Sequence, residues 1–163
     1  MAMKRILVPV DFSEDSLNAL GYARDFAKPF GAELVILYVI EPIYYATPAD
    51  MYVTTPDVTF LMDEQRRIAK EQLARIGADL RKKRVPFHAV IKTGAPAHTI
   101  LDSIKSTRAD LIIMGTHGRT GLAHMFMGSV AEKVVRGASC PVLSVRHGAA
   151  ATRTKRSRAA TRR

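Results

Sequence analysis

The residues best placed to do chemistry lie in one stretch, Gly115-Thr-His-Gly-Arg-Thr-Gly-Leu-Ala-His-Met-Phe-Met-Gly-Ser-Val130. Its glycines and serine fall as Gly115-x2-Gly118-x9-Gly128-Ser129. Glycine at such positions lets backbone N–H groups approach an anion with no Cβ in the way. Gly128-Ser129-Val130 opens a helical pattern, and the unpaired N–H groups and positive dipole end of a helix suit a phosphate. The Ser129 hydroxyl adds a donor, and Arg119 and His117 are candidate cations beside it. The stretch has no Gly-x4-Gly-Lys-Ser/Thr, so it is not a P-loop. It is not the dinucleotide fingerprint either, because the first strand leads into Pro9-Val10-Asp11 rather than glycines. The plain alternative is a strand-to-helix loop whose glycines only make turns. A second candidate is Asp11, whose carboxylate can accept hydroxyl hydrogen bonds or can serve the helix that follows it.

These residues need a scaffold, and the hydrophobic pattern supplies one. Lys4–Val10, Glu33–Ile40 and Ala109–Met114 are continuous apolar runs, as expected of strands buried on both faces. Phe87–Lys92 and Val142–Val145 read as two further strands. Ser13, followed by Glu14 and Asp15, predicts a helix start, with Leu17, Leu20, Ala23, Ala27 and Phe30 on one face and Gly31 ending it. Leu61, Ile68, Leu73, Ile76 and Leu80 predict a long amphipathic helix. Pro96 opens a third helix with Ile100, Leu101 and Ile104 facing inward, and Ser129–Arg136 a fourth. Strands alternating with helices predict one α/β domain, a parallel sheet covered on both faces. Ligands of such sheets bind beyond the carboxyl ends of the strands, where the strand order reverses. Asp11, the loop after Val39 and the glycine loop all fall at those ends.

Composition narrows the classes. The chain has 163 residues, 47% hydrophobic and 25% charged. No run approaches the roughly 18 apolar residues of a membrane span, and the start is too soon polar for a secretory signal. The expected compartment is the cytoplasm, with no membrane partner. Cys140 is the sole cysteine, which excludes an intramolecular disulfide and disfavours a cysteine zinc site. It precedes Pro141 and reads as a small buried hydrophobe. His88 and His98 read as a strand position and a helix first turn rather than ligands. The net charge of +10 is concentrated at one end: residues 149–163 hold six bases and no acid, while residues 1–148 hold 19 bases against 15 acids. Residues 1–147 are therefore expected to form the domain, and 148–163 a basic tail without apolar periodicity, disordered in isolation. That tail is either plainly solvated or able to contact nucleic acid. The segment from Glu41 to Pro56, with Tyr44, Tyr45, Met51 and Tyr52, is longer than a usual connection; covering a ligand, docking a second subunit and packing on its own domain are all open to it.

Lys4-Arg-Ile-Leu-Val-Pro-Val-Asp-Phe-Ser13, Ala109-Asp-Leu-Ile-Ile-Met-Gly-Thr-His-Gly-Arg-Thr-Gly121, Gly128-Ser-Val-Ala-Glu-Lys-Val-Val135 and Ala138-Ser-Cys-Pro-Val-Leu-Ser-Val-Arg146 resemble the universal stress protein family, in order, from residue 3 to about 146. The intact glycine motif resembles the ATP-binding branch. The resemblance implies a five-stranded parallel sheet of order 3-2-1-4-5 and a homodimer through Val142–Val145. It implies that Pro9, Val10 and Asp11 border the adenosine, that Val39 meets the adenine through its backbone, and that Met114 and Gly115 line the nucleoside. Gly118, Gly128, Ser129 and Val130 would hold the phosphates, with Thr116, His117, Gly118, Arg119, Thr120 and Gly121 forming the loop around them. Mg2+ or Mn2+ on the phosphates is implied, with no protein ligand to name. No His-Glu-x-x-His or Gly-x-Ser-x-Gly occurs, and no base is specified by spacing. The expected function is thus a nucleotide-dependent stress-response switch with slow or no hydrolysis. A slow ATP hydrolase or phosphotransferase, and an interaction protein using its tail on nucleic acid, are the alternatives.

Overall fold

Arg5–Val10 forms β1 at the centre of a parallel sheet, with Ile6 paired to Leu34 on one side and to Leu111 on the other. The computed structural model describes residues 3–42, 58–117 and 127–146. Within them α1 is Glu14–Ala27, β2 Glu33–Ile40, α2 Val58–Lys82, β3 Phe87–Thr93, α3 Pro96–Thr107, β4 Leu111–Gly115, α4 Ser129–Gly137 and β5 Val142–Val145. All strand pairs are parallel and the order is β3-β2-β1-β4-β5. The chain first builds leftward from β1, then returns to its other side with β4, so a crevice opens between the carboxyl ends of β1 and β4.

Period-two alternation assigns the strand side chains to two layers. Ile6, Val8 and Val10 join Leu34, Ile36 and Ile113 under α1 and α2. Leu7, Val35, Leu37, Ile112 and Met114 lie on the opposite face, under α3 and α4. Leu7 and Ile112 are wholly buried, and truncating either to alanine costs about 2–5 kcal/mol. Only Val145 of β5 is buried, as befits an edge strand.

Three residues depart from the predicted apolar faces. Leu17 and Phe30 are 44% and 56% exposed, and Ile68 is 44% exposed. Ala19 and Ala69, outside the predicted faces, are fully buried, as is the predicted Ala23. Small residues let α1 and α2 approach the sheet closely, and that proximity outweighs the larger transfer gain of Leu, Phe or Ile at those positions. Helix α1 ends at Ala27 and passes through a 3-10 turn, Lys28–Phe30, before Gly31 at φ 60 closes it. Ser13 is the N-cap of α1, accepting the Ser16 N–H at 3.3 Å. At the opposite end of the sheet, Asp110 ties β4 to β1: its Oδ2 accepts the N–H groups of Lys4 and Arg5 at 2.7 and 3.0 Å. Those two bonds hold its carboxyl below the usual range.

Candidate functional site

A cavity of about 610 Å³ occupies the crevice beyond β1, β2 and β4. That is within the usual range for small-molecule sites, roughly 300–1,000 Å³. Pro9, Val10, Asp11, Val39, Met114, Gly115, Thr116, His117, Gly128, Ser129 and Val130 all line it. Positions from four separate stretches of sequence thus line one cavity. Gly118, Arg119, Thr120 and Gly121 lie outside the described residues, as do the tyrosines at 44, 45 and 52 and the tail.

One end of the cavity is a helix terminus. Gly128 is the N-cap of α4, and its own N–H donates to Thr116 O at 2.8 Å. The first helical bond is from Glu132 N–H to Gly128 O at 2.9 Å. Ser129, Val130 and Ala131 therefore have N–H groups with no intrahelical acceptor, as the first turn of any helix must. A Cβ on Gly128 would sit 3.2 Å from Thr116 O, so this residue stays close to the backbone it caps. Apolar side chains also line the cavity, among them Pro9, Leu37, Val39, Ile100 and Met114. Backbone donors and aliphatic side chains in one cavity suit a ligand that carries both an anionic group and an apolar ring. Two acids, Asp11 and Glu41, also face the cavity, and the described lining includes no lysine or arginine.

Asp11 has a structural duty as well. Its Oδ1 accepts the Ser13 N–H at 3.0 Å and the Ser13 hydroxyl at 2.5 Å, an Asx turn that orients the capping serine. Phe12 between them has φ 65, a conformation that costs a bulky residue about 1–3 kcal/mol. Its ring stacks on Tyr38, with centroids 4.8 Å apart.

Asp15 takes a part that its position in the first turn of α1 does not announce. Its Oδ2 accepts the His117 N–H at 3.1 Å and lies 3.3 Å from His117 Nδ1. The His117 Nδ1 is also 3.0 Å from Thr116 Oγ1, and both His117 and Asp15 side chains are only 14% exposed. Gly115 makes this junction possible, since a Cβ there would lie 2.9 Å from the Asp15 carbonyl carbon. No local signal links residues 102 positions apart. Gln65 of α2 and Pro96 and Ile100 of α3 complete the walls; they too enter only through the packing of helices over the sheet.

The remaining chemical side chains lie elsewhere. His88 is 3.1 Å from Glu33 and His98 3.2 Å from Asp102, both on the surface. Cys140 packs against Ile112 and its neighbours, and burial pushes its thiol up. Among the described residues no group of three His, Cys, Asp or Glu side chains is placed to hold a metal ion. No helix among them is long and apolar enough to cross a membrane.

Comparison with known proteins agrees with this architecture. Universal stress protein MJ0531 of Methanocaldococcus jannaschii is 35% identical over 144 residues, covering 88% of this chain and 82% of the relative. The structure of universal stress protein UspA from Lactobacillus plantarum superposes with a TM-score of 0.80 at 30% identity, covering 90% of this chain and 99% of that one. A universal stress protein from Archaeoglobus fulgidus, solved in complex with dAMP, shares the fold at a TM-score of 0.63 and 23% identity, covering 89% of this chain and 99% of that one. The model of the universal stress protein family matches residues 3–146. Sheet order, the glycine-bearing turn into α4 and this match agree: the chain belongs to the universal stress protein family.

Proposed function

We propose that this protein binds ATP in the crevice between β1 and β4 and acts as a nucleotide-dependent stress-response switch, with slow or no hydrolysis. The observation that carries the reading is the make-up of the cavity, which combines the N-terminus of α4 with aliphatic side chains. The N–H groups of Ser129, Val130 and Ala131 and the Ser129 hydroxyl would hold phosphate oxygens. Val39 and Met114 would flank the base, and Asp11 would accept ribose hydroxyls. The glycine loop, with Gly118, Arg119, Thr120 and Gly121, would surround the phosphates, and Mg2+ or Mn2+ would ride on them. A universal stress protein of the same fold is solved in complex with dAMP, which makes adenine nucleotides the first ligands to test. Binding leads over turnover because no catalytic base is specified by the spacing of the polar residues in the sequence.

The same reading takes residues 1–147 as the nucleotide-binding domain, in the cytoplasm. It includes a homodimer built on β5, whose Leu143 is 37% exposed on an edge strand; light scattering of the purified protein tests the assembly. For the nucleotide, the test is to denature freshly purified protein, identify what is released, and titrate apo protein with ATP and magnesium. Released ATP, or micromolar binding that weakens at least tenfold in Gly128→Ala with the fold intact, is the expected result. No released nucleotide together with no binding by folded apo protein refutes the reading.

A further inference from the structure

Asp15 of α1 and His117 after β4 meet beside the cavity. The Asp15 Oδ2 accepts the His117 N–H at 3.1 Å and stands 3.3 Å from His117 Nδ1. Both side chains are largely buried, and Gly115 leaves α1 the room to come this close. A carboxylate offers only acceptors, so the contact favours a proton on Nδ1. Thr116 Oγ1, 3.0 Å from the same nitrogen, can accept from it as well. Any proton the ring then gains goes to Nε2 and makes it a cation. His117 lines the cavity and lies beside the N-cap of α4, since a Cβ on Gly128 would be 3.7 Å from His117 Cα. A phosphate at that helix terminus is therefore a neighbour of the ring.

We propose that Asp15 is a positioning residue for the nucleotide: it holds His117 so that the ring meets the phosphates as a cation, and ATP binding takes up a proton there. The proposal rests on the reading that the cavity binds ATP, and adds a proton to that binding. The proton comes from the buffer and goes to Nε2, and a phosphate oxygen accepts the charge-assisted hydrogen bond of the imidazolium. The complex then holds more protons than its separated components, so binding strengthens as pH falls. The other charged groups on the elements around His117 are Glu14 in α1, Asp11 after β1, Glu41 after β2, Glu132 and Lys133 in α4, and Arg146 after β5. Asp11 and Glu41 share its cavity. All six stay in place in the variants below, so a change that follows Asp15 and His117 belongs to that pair.

The test is a set of calorimetric titrations of the full-length protein with ATP and with adenosine, magnesium present throughout, from about pH 8.5 down to about pH 7. The parent's ATP affinity should rise about fivefold across that window, while its adenosine affinity stays level. Asp15→Asn keeps an oxygen to accept the His117 N–H but loses the charge. It should bind ATP about fivefold more weakly at about pH 7 and flatten the pH profile. His117→Gln should do the same, and the double variant should be no weaker than either, because Asp15 acts through His117. Urea unfolding midpoints check that each variant is folded. A level pH profile in the parent overturns the proposal, and so does a profile that Asp15→Asn leaves unchanged. Additive losses in the double variant overturn it, because the two residues then act separately. Equal loss for ATP and adenosine overturns it in favour of a structural effect. ATP binding with a level profile leaves the reading of the cavity standing and removes this proposal alone. If the folded parent binds neither ATP nor adenosine, the reading of the cavity itself falls, and this proposal with it.

Discussion

Gly115→Ala is the sharpest perturbation of the site's frame. Gly115 does not need a left-handed backbone, so the cost of alanine is purely steric. The new Cβ would lie 2.9 Å from the Asp15 carbonyl carbon and 3.0 Å from both Asp15 Cβ and Asp15 O. None of these atoms can rotate away, so α1 must lift from β4. Overpacking of this kind costs about 1–3 kcal/mol, and lifting α1 also weakens the charge-assisted bond from His117 N–H to the Asp15 carboxylate, worth about 1.5–3 kcal/mol intact. A total loss of about 2–4 kcal/mol follows. Urea unfolding measures it: with a slope near 2 kcal/mol per molar, the midpoint should fall by about 1–2 M. Gly21→Ala is the internal control, because its Cβ meets nothing within 4 Å; in the interior of α1 it should gain about 0.5–1 kcal/mol. A Gly115→Ala midpoint within about 0.3 M of the parent would mean that β4 and α1 do not approach as described.

Two further outcomes concern stability. Asp110 has a folded-state pKa below its ordinary 3.8 because the Lys4 and Arg5 N–H groups bond its carboxylate; its contribution is therefore full above about pH 4 and lost as pH falls through the lowered value. Asp110→Asn should flatten the acid limb of stability against pH below about 4 and leave its shape near neutrality unchanged, as read by thermal unfolding across pH. Ser13→Ala removes both the cap on Ser16 N–H and the partner of Asp11; it should cost about 1 kcal/mol and lower Tm by about 2–4 °C.

The elements were legible because each signal was local. The β2 and β5 runs begin and end as apolar stretches do, and Ser13, Gly31 and Pro96 punctuate helices where backbone chemistry requires it. Strand order was not legible from alternation alone, since β-α-β repeats fit more than one order; the family resemblance supplied it. The predicted face of α1 holds at Leu20, Ala23 and Ala27 and fails at Leu17 and Phe30, while Ala19, a small residue that a search for large apolar side chains passes over, is fully buried. The glycines and Asp11 announced the cavity through their positions at strand ends. Asp15 did not, because an acid in a helix's first turn already has a local explanation in the dipole. Its partner His117 is set by the crossing of α1 over β4, a tertiary fact.

The junction at Thr116 also bears on how the site withstands mutation. Its ties to β5 and α4 run through main-chain N–H and C=O groups, which every residue except proline carries in full. The frame of the crevice is thus largely indifferent to side-chain identity at its hinge, and its vulnerability lies where atoms must be missing, at Gly115. A scaffold specified by absent side chains leaves the surrounding walls free to drift toward new ligands. Its one bare position at Gly115 stays closed to variation.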